Sequence, residues 1–415
     1  MGKMKDFWWI AVAGLLIIGV VLYLGRIAGR TENTAGGTES KNGGPYDIVT
    51  TFKSDPQTSR AFTWYTDDAG EETVVQLLKG EGTPDFSSAD LISVQGETTV
   101  YEGSSGQQKG VHKAEASGLE PGTAYTYRVG SPASGKWSEP ASFTTEEQDL
   151  TAFSFINITD SQGVNEADFA KWGQTLSAAF KTFSGARFVI HNGDLTEDPA
   201  DEAGWKAFFA DAQPWISEVP LMPVTGNHDE VDKQADAYVS HFNLPDNGAE
   251  GSNPGTSYSF DYGNAHFVVL NTESNIKKQT DWLKQDLKNT DKEWIIAALH
   301  RPPYGGSMYD KVDDWVELFD QYHVDLVLQG HNHEYSRSYP LKGGKITDEG
   351  NGTVYVVTNA SGSKFNEKKS DKFYHAVHFQ NNKQMFAGIQ ISGSTLTYSA
   401  YDVDGNKLDE FVLKH

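Results

Sequence analysis

The chain of 415 residues contains no cysteine. Disulfide bonds, thiolate metal ligands and a cysteine nucleophile are therefore excluded, and we expect no disulfide partner. Basic residues are also few, since 34 Lys and Arg stand against 57 Asp and Glu and the formal net charge is −23. A surface of this sign repels a phosphate backbone, so nucleic-acid binding is not expected. The length allows two domains, each with its own core.

The amino terminus carries one long apolar run. No charged residue occurs from Phe7 to Gly25, a run of 19 positions with basic residues on both sides. This run can span a bilayer, and it is longer than the apolar core of about 7 to 15 residues in a cleaved signal peptide. We predict that residues 1–30 form an uncleaved transmembrane anchor; cleavage would instead give a secreted protein. Residues 31–46 are rich in Gly and Thr and are predicted to form a flexible stalk.

Residues 47–146 have the pattern of a small β-sandwich. Short runs of alternating character, such as RAFTWYT, TVVQLL and AYTYRVG, are separated by turns rich in Gly, Pro, Ser and Asp. The aromatic residues Trp64, Tyr125 and Tyr127 are predicted to be core residues of this domain, not ligand-stacking residues.

Residues 150–415 alternate between apolar runs and helical spacing. Apolar residues recur from Phe169 to Phe183 behind a capping Asn165, which predicts an amphipathic helix. Similar spacing around Leu283 and Trp315 predicts two more helices. Three strand-like runs near the end of the chain are predicted to close a second sheet.

Candidate metal ligands occur in five strings: FINITDSQG, FVIHNGDLTE, PVTGNHDE, WIIAALHRPPY and DLVLQGHNHEYSR. Four of the five strings follow a short apolar run of the kind that forms a buried strand. In open α/β sheets, ligands gather at the carboxyl ends of strands. The candidate ligands are Asp160, Asp194, Asn227, His300, His331 and His333.

These residue types suit two divalent ions. Carboxylate, amide oxygen and neutral imidazole form a borderline-hard set that suits zinc, manganese or iron. A glycine before Asp194 frees its carboxylate to bridge both ions, and strand alternation is expected to point His331 and His333 to one side. Two ions about 3.5–4 Å apart can generate hydroxide and clamp a phosphoryl oxygen. We therefore predict a two-metal hydrolytic site.

The order of these motifs resembles the calcineurin-like metallophosphoesterase superfamily, and the flanking sequence resembles its purple acid phosphatase branch. GLEPGTAYTYRVG and KWSEPASFTT resemble the fibronectin type III-like domain that precedes the catalytic domain in that branch. The resemblance implies an α/β (α+β) fold, a four-layer αββα sandwich, behind the all-β domain. It implies one ion on Asp160, Asp194 and His333, and the other on Asp194, Asn227, His300 and His331.

The resemblance also assigns catalytic roles. His228 would be the general acid that protonates the leaving alkoxide, and Asp229 would orient the His228 ring. Two positions depart from the family pattern. Glu197 stands where purple acid phosphatases have an iron-binding tyrosine, so we expect a protein without the purple colour. Gln162 stands where other members have a histidine, and either Gln162 or Glu197 is a metal ligand or a solvated loop residue.

Three functions remain open from the sequence. The first is a metal-dependent phosphomonoesterase that uses a metal-bound hydroxide on a phosphate ester. The second is a phosphodiesterase on the same scaffold, and the third is an inactive cell-surface binding protein. Side chains beside the ligands contact either substrate phosphate or neighbouring loops. They are Arg301, Tyr304, Glu334, Tyr335 and Arg337. By analogy with secreted phosphatases, the chain is predicted to be a single-pass membrane protein with an extracytoplasmic catalytic domain.

Overall fold

The computed structural model describes residues 43–102, 106, 108–231 and 234–415. The predicted anchor, residues 1–30, lies outside the described residues, as does the predicted stalk up to residue 42. None of the helices within the described ranges combines the length and apolar composition that a bilayer span needs.

An N-terminal β-sandwich opens the described chain. Its strands are Tyr46–Thr51 (β1), Ser59–Thr66 (β2), Val74–Lys79 (β3), Ile92–Gln95 (β4), Glu97–Glu102 (β5), Gln108–Ser117 (β6), Ala124–Ser131 (β7), Lys136–Trp137 (β8) and Ala141–Thr144 (β9). One sheet has the order β1-β2-β6-β5; the other has the order β4-β3-β7-β8, with β9 also on β7. Trp64, Tyr125 and Tyr127 are at most 2% exposed, which confirms their predicted place in the core.

Two further sheets follow. Their strands are Ala152–Ile158 (β10), Ala186–His191 (β11), Leu221–Pro223 (β12), Tyr258–Tyr262 (β13), Ala265–Leu270 (β14), Trp294–Leu299 (β15), Leu326–Gln329 (β16), Tyr335–Ser338 (β17), Val354–Val357 (β20), His375–Phe379 (β21), Met385–Ser392 (β22), Thr395–Asp402 (β23) and Lys407–Lys414 (β24). Leu341–Lys342 (β18) and Lys345–Ile346 (β19) form a separate short hairpin.

The six-stranded sheet has the order β12-β11-β10-β22-β23-β24, and the seven-stranded sheet has the order β13-β14-β15-β16-β20-β17-β21. Strands β10 to β12 are mutually parallel, as are β14, β15, β16 and β20. The three predicted strands at the end of the chain are β22 to β24, and they extend the sheet that contains β10.

The helices are Glu166–Thr182 (α1), Glu202–Ala212 (α2), Trp215–Glu218 (α3), Asp236–His241 (α4), Ile276–Asn289 (α5) and Asp313–Tyr322 (α6), with a 3₁₀ turn at Asp310–Val312. Helix α1 confirms the predicted amphipathic helix, and the Asn165 side chain accepts the Asp168 N–H as its cap. Helices α5 and α6 confirm the other two predictions.

The sheets pack face to face over one large apolar core. Phe155, Phe188 and Phe267 meet in it with ring centroids 4.9–5.2 Å apart. Helices α1 and α2 pack together, and α1 contacts β22 of the six-stranded sheet. Residues of α5 and α6 share a second buried cluster with the outer face of β14 to β16. The order of layers is therefore helices, sheet, sheet and helices. The loops that follow the carboxyl ends of the parallel strands carry the candidate ligands.

Candidate metal centre

Parallel strands bring the predicted ligands together. Asp160 follows β10, Asp194 follows β11, and Asn227 follows β12 in the first sheet; His300 follows β15, and the GHNH loop follows β16 in the second. The two sheets meet here, because His300 Nε2 lies 3.2 Å from Asp194 Oδ2.

The backbone at the site is unusual. Asp160, Asp194, His331 and His333 all have left-handed φ angles between 51° and 70°. Non-glycine residues adopt this conformation at a cost of about 1–3 kcal/mol, and Asp and His are among the residues found in it most often. His331 and His333 therefore approach the centre from a turn, and the prediction that strand alternation directs them is wrong. A glycine is required at position 226, because a Cβ there would lie 2.2 Å from Asp194 Oδ1.

The first ligand group is Asp160, Asp194 and His333, which offer donor atoms within 4.8 Å of one another. His333 Nε2 lies 3.2 Å from Asp160 Oδ1. The other ring nitrogen, Nδ1, is 2.7 Å from the carbonyl oxygen of Lys364 and donates to it. That bond fixes the tautomer and leaves Nε2 free for a metal.

The second ligand group is Asp194, His300 and His331, again with donor atoms within 4.8 Å. Asn227 joins it, since its Oδ1 is 3.3 Å from His300 Nε2. His300 Nδ1 donates to the carbonyl oxygen of Asn192 at 2.7 Å, so Nε2 faces the centre. Asp194 belongs to both groups, as a bridging carboxylate must.

The centre contains two buried carboxylates, Asp160 and Asp194, whose negative charge must be balanced by positive charge. Asp160 and Asp194 are at most 1% exposed. Burial raises the pKa of both carboxyls, but the neighbouring imidazoles outweigh burial and hold each pKa below its usual value. Burial lowers the pKa of His300, yet the two carboxylates raise it to about 10. Protons on imidazoles thus balance two buried carboxylates, and divalent ions can replace those protons.

The two departures from the family pattern lie side by side. Gln162 Nε2 donates to Glu197 Oε2 at 3.0 Å. Gln162 Oε1 is buried and has no hydrogen-bond partner among the described residues. An orphaned buried oxygen next to this centre fits a nearby cation. Glu197 also contacts Lys364 Nζ at 3.4 Å. No sequence motif points to Lys364. It reaches the site because a loop about thirty positions after His333 returns to it.

His228 and Asp229 have different surroundings from those expected. The Nδ1 of His228 lies 2.7 Å from the carbonyl oxygen of Glu197, to which it donates. Both Asp229 oxygens accept backbone N–H groups, from Asp194, Leu195 and Gly226, at 2.7–3.0 Å. The prediction that Asp229 orients the His228 ring is therefore wrong. Asp229 instead ties the GD loop to the GNHD loop.

Of the predicted substrate contacts, Arg301 lies at the centre. Its Nη1 is 3.0 Å from His331 Nε2, and its Nε is held by Glu273 at 2.9 Å. Arg337 is not at the centre, because its guanidinium pairs with Asp409 of β24 at 2.6 Å. That part of the prediction is wrong.

The remaining neighbours of the ligands also contact protein. The Tyr304 ring packs on Tyr355 and Tyr374, with centroids 4.8 and 5.2 Å away. Tyr335 donates its hydroxyl to Asp409 at 2.7 Å, and Glu334 accepts the Lys369 N–H at 2.8 Å. These three side chains support loops and strands, which is the packing alternative left open by the sequence.

Comparisons with known proteins agree with this geometry. The family described as Purple acid Phosphatase, N-terminal domain matches residues 45–145, and Calcineurin-like phosphoesterase matches residues 153–335. Purple acid phosphatase 23 of Arabidopsis thaliana is 28% identical over 346 residues, which cover 74% of this chain and 72% of that protein. Acid phosphatase type 7 of Danio rerio is 27% identical over 86% of this chain and 88% of its own length.

The fold is also known. A purple acid phosphatase from yellow lupin seeds superposes with a TM-score of 0.76 over 90% of this chain and 74% of its own, at 19% identity. Purple acid phosphatases use a dinuclear metal centre, which the two ligand groups around Asp194 match. The chain therefore belongs to the calcineurin-like phosphoesterases, in their purple acid phosphatase-like branch, and is a metal-dependent phosphatase.

Proposed function

We propose that this chain hydrolyses phosphate monoesters at a pair of divalent ions drawn from manganese, iron and zinc. The observation that carries the proposal is the position of Asp194, which is buried and shared by two donor groups, each of which combines residues from both sheets. When bound, such a pair supplies a water of lowered pKa and positive charge for the phosphoryl oxygens.

The chain's own residues supply the rest of the chemistry. Asp160, Asn227 and the three histidines hold and space the ions. His228 donates Nδ1–H to the Glu197 carbonyl and keeps Nε2 free of that contact; in the doubly protonated ring, Nε2–H gives its proton to the leaving oxygen and the ring becomes neutral. Glu197 replaces the tyrosine that gives ferric purple acid phosphatases their colour, so we propose a colourless enzyme.

Cationic side chains support a monoester substrate. Arg301, which also pairs with Glu273, lies beside His331 of the second ligand group. Lys364, whose carbonyl holds His333 of the first group, pairs with Glu197. A phosphate monoester carries up to two negative charges and a diester only one. The second charge gains more from these two cations.

The test compares p-nitrophenyl phosphate with bis-p-nitrophenyl phosphate, using the full chain after chelation and return of one metal at a time. We expect monoester turnover to dominate and to fall more than about 100-fold in Asp194→Ala, because both ligand groups lose their shared oxygen. Faster turnover of the diester would establish the phosphodiesterase alternative. No turnover of either ester with any of the three metals would leave an inactive binding protein.

We also propose that residues 1–30 anchor the enzyme in the cell membrane with its catalytic domain outside the cytoplasm, the preceding domain being fibronectin type III-like. The charge-free run from Phe7 to Gly25 supports this. Carbonate extraction should leave the full chain in the membrane fraction, and a protease added to intact cells should remove the catalytic domain. Release by carbonate would count against the anchor, and protection from the protease would reverse the orientation.

A further inference from the structure

A second group of metal-binding side chains lies outside the catalytic centre. Asp371, His375 and His378 offer donor atoms within 4.8 Å of one another. The histidines belong to β21 and are three residues apart. In a regular strand, side chains three residues apart point to opposite faces.

A β-bulge removes this difference. Arg337 of β17 pairs with Val377, whereas the residue after it, Ser338, pairs with His375. Ala376 is thus the extra residue, and it turns His375 onto the face that carries His378. The two rings lie with centroids 4.0 Å apart. The bulge places two imidazole rings on one face of the strand, and the pairing of β17 with β21 does not require such a bulge.

A carbonyl acceptor behind His375 sets the tautomer of that ring, and a buried carboxylate lies behind His378. His375 Nε2 is 3.1 Å from the carbonyl oxygen of Gly305. His378 Nε2 is 3.2 Å from Glu334 Oε2, and the Glu334 side chain is 0% exposed. The Gly305 carbonyl favours hydrogen on Nε2 of His375 and leaves Nδ1 of that ring as the lone pair, which is how metal-binding histidines are held. Glu334 Oε1 has no hydrogen-bond partner in the described part of the chain, and Lys369 Nζ lies 4.0 Å from it.

On the side of the group that faces Asp371, the contacts are hydrogen bonds and one ion pair. Asp371 Oδ1 accepts from His378 Nδ1 at 2.8 Å, and a divalent ion can replace that proton. His375 Nδ1 accepts the Lys372 N–H at 3.1 Å, and the Lys368 ammonium pairs with Asp371. These contacts compete with an ion but do not close the group.

We propose that Asp371, His375 and His378 bind a divalent ion of the zinc type, with water completing the coordination. Two imidazoles and one carboxylate favour zinc over calcium or magnesium, which prefer oxygen ligands. The ion would be a third metal, outside the catalytic pair, and its binding does not depend on the proposed function.

The position of the group suggests what the ion does. The segment that precedes β21 holds the catalytic ligand His333, through the Lys364 carbonyl at 2.7 Å. Tyr374 of this segment donates its hydroxyl to the Gly305 carbonyl at 2.6 Å. A bound ion would fasten the segment to the loop around Gly305 and to Glu334. Its role is to hold the wall of the catalytic site in place.

The test counts zinc. The full chain is stripped with a chelator, loaded with zinc and desalted, and zinc per chain is measured by mass spectrometry. We expect the wild type to hold one more zinc than His375→Gln/His378→Gln, in which the glutamine amides can still donate to Gly305 and Glu334. Asp371→Asn, at an exposed position, should weaken this zinc by at least about tenfold.

Two further variants sharpen the result. Lys368→Ala removes the competing ammonium and should tighten the additional zinc, while His323→Asn removes an exposed histidine elsewhere and should change nothing. Equal zinc counts in the wild type, the double variant and Asp371→Asn would overturn the proposal. Because the readout is a difference in zinc count, an inactive catalytic centre would not mimic that result.

Discussion

Among the residues that the structure describes, His228 has a hydrogen-bond partner at one ring nitrogen. Nδ1 donates to the Glu197 carbonyl, and the side chain keeps 26% of its surface exposed. We expect His228→Ala to lower kcat about 10²- to 10⁴-fold on an alkyl phosphate, because the leaving alkoxide needs a proton. The loss should be smaller on p-nitrophenyl phosphate, whose leaving group is stable as an anion. Steady-state kinetics on the two esters measures both effects.

The comparison of leaving groups separates catalysis from structure. His228 also donates its backbone N–H to Asp194 Oδ1 at 2.8 Å, a contact that the alanine variant keeps. Metal content should therefore be unchanged in His228→Ala. Equal losses on both esters, or a loss of metal, would mean that His228 positions the centre and does not act as the acid.

Sequence motifs located the six candidate ligands but not the residues that support them. Each candidate ligand lies in a loop just after a strand, so local patterns could locate it. Asp229 was misassigned because both its oxygens are taken by N–H groups of other loops, and only the fold brings those loops together. Arg337 was misassigned for the same reason, since its partner Asp409 lies 72 positions later.

Helix α5 is tied to its sheet by an ion-paired histidine. His266 of β14 contacts Asp286 of α5 and Asp261 of β13, both at 2.7 Å, and Lys292 lies 3.8 Å from Asp261. Burial lowers the pKa of His266, but hydrogen bonds to the two carboxylates outweigh it and raise the pKa to about 9. The protonated ring therefore favours the folded state.

The sign of this effect gives a prediction. The stabilisation is complete below the pKa of an unfolded histidine, about 6.5, and is lost as the pH rises through about 9. We expect the free energy of unfolding to fall by on the order of 2 kcal/mol across that window. Urea unfolding of the chelated protein at several pH values measures it. In His266→Gln the loss of stability should become smaller by this amount, while the part caused by His300 remains; the same slope in the variant would show that other groups cause all of it.

Elements were predictable where their periodicity was strong. Helix α1 was found from its apolar spacing and its Asn165 cap, both of which are local. Helix α2 was missed, although Trp205, Phe208 and Phe209 are buried on it. The bulge in β21 could not be predicted, because it is defined by its pairing with β17.

The β-sandwich and the phosphoesterase part form one compact unit in the described residues. Phe52, just after β1, belongs to the same buried cluster as Phe188 and Phe260, with ring centroids 5.8 Å away from each. Tyr127 of the sandwich donates its hydroxyl to the Ser217 carbonyl at 2.5 Å. A shared core of this kind couples the unfolding of its two sides.

We therefore expect a change inside the sandwich to destabilise the enzyme as a whole. Phe62 is 0% exposed and packs on Tyr127 and Phe143 within the sandwich, well away from the ligands. Phe62→Ala should cost about 3–5 kcal/mol. It should lower the temperature of phosphatase inactivation as much as it lowers the single calorimetric transition, with kcat at 25 °C unchanged. Two separate transitions, with activity surviving the first, would show that the sandwich unfolds on its own and that the shared core does not couple it to catalysis.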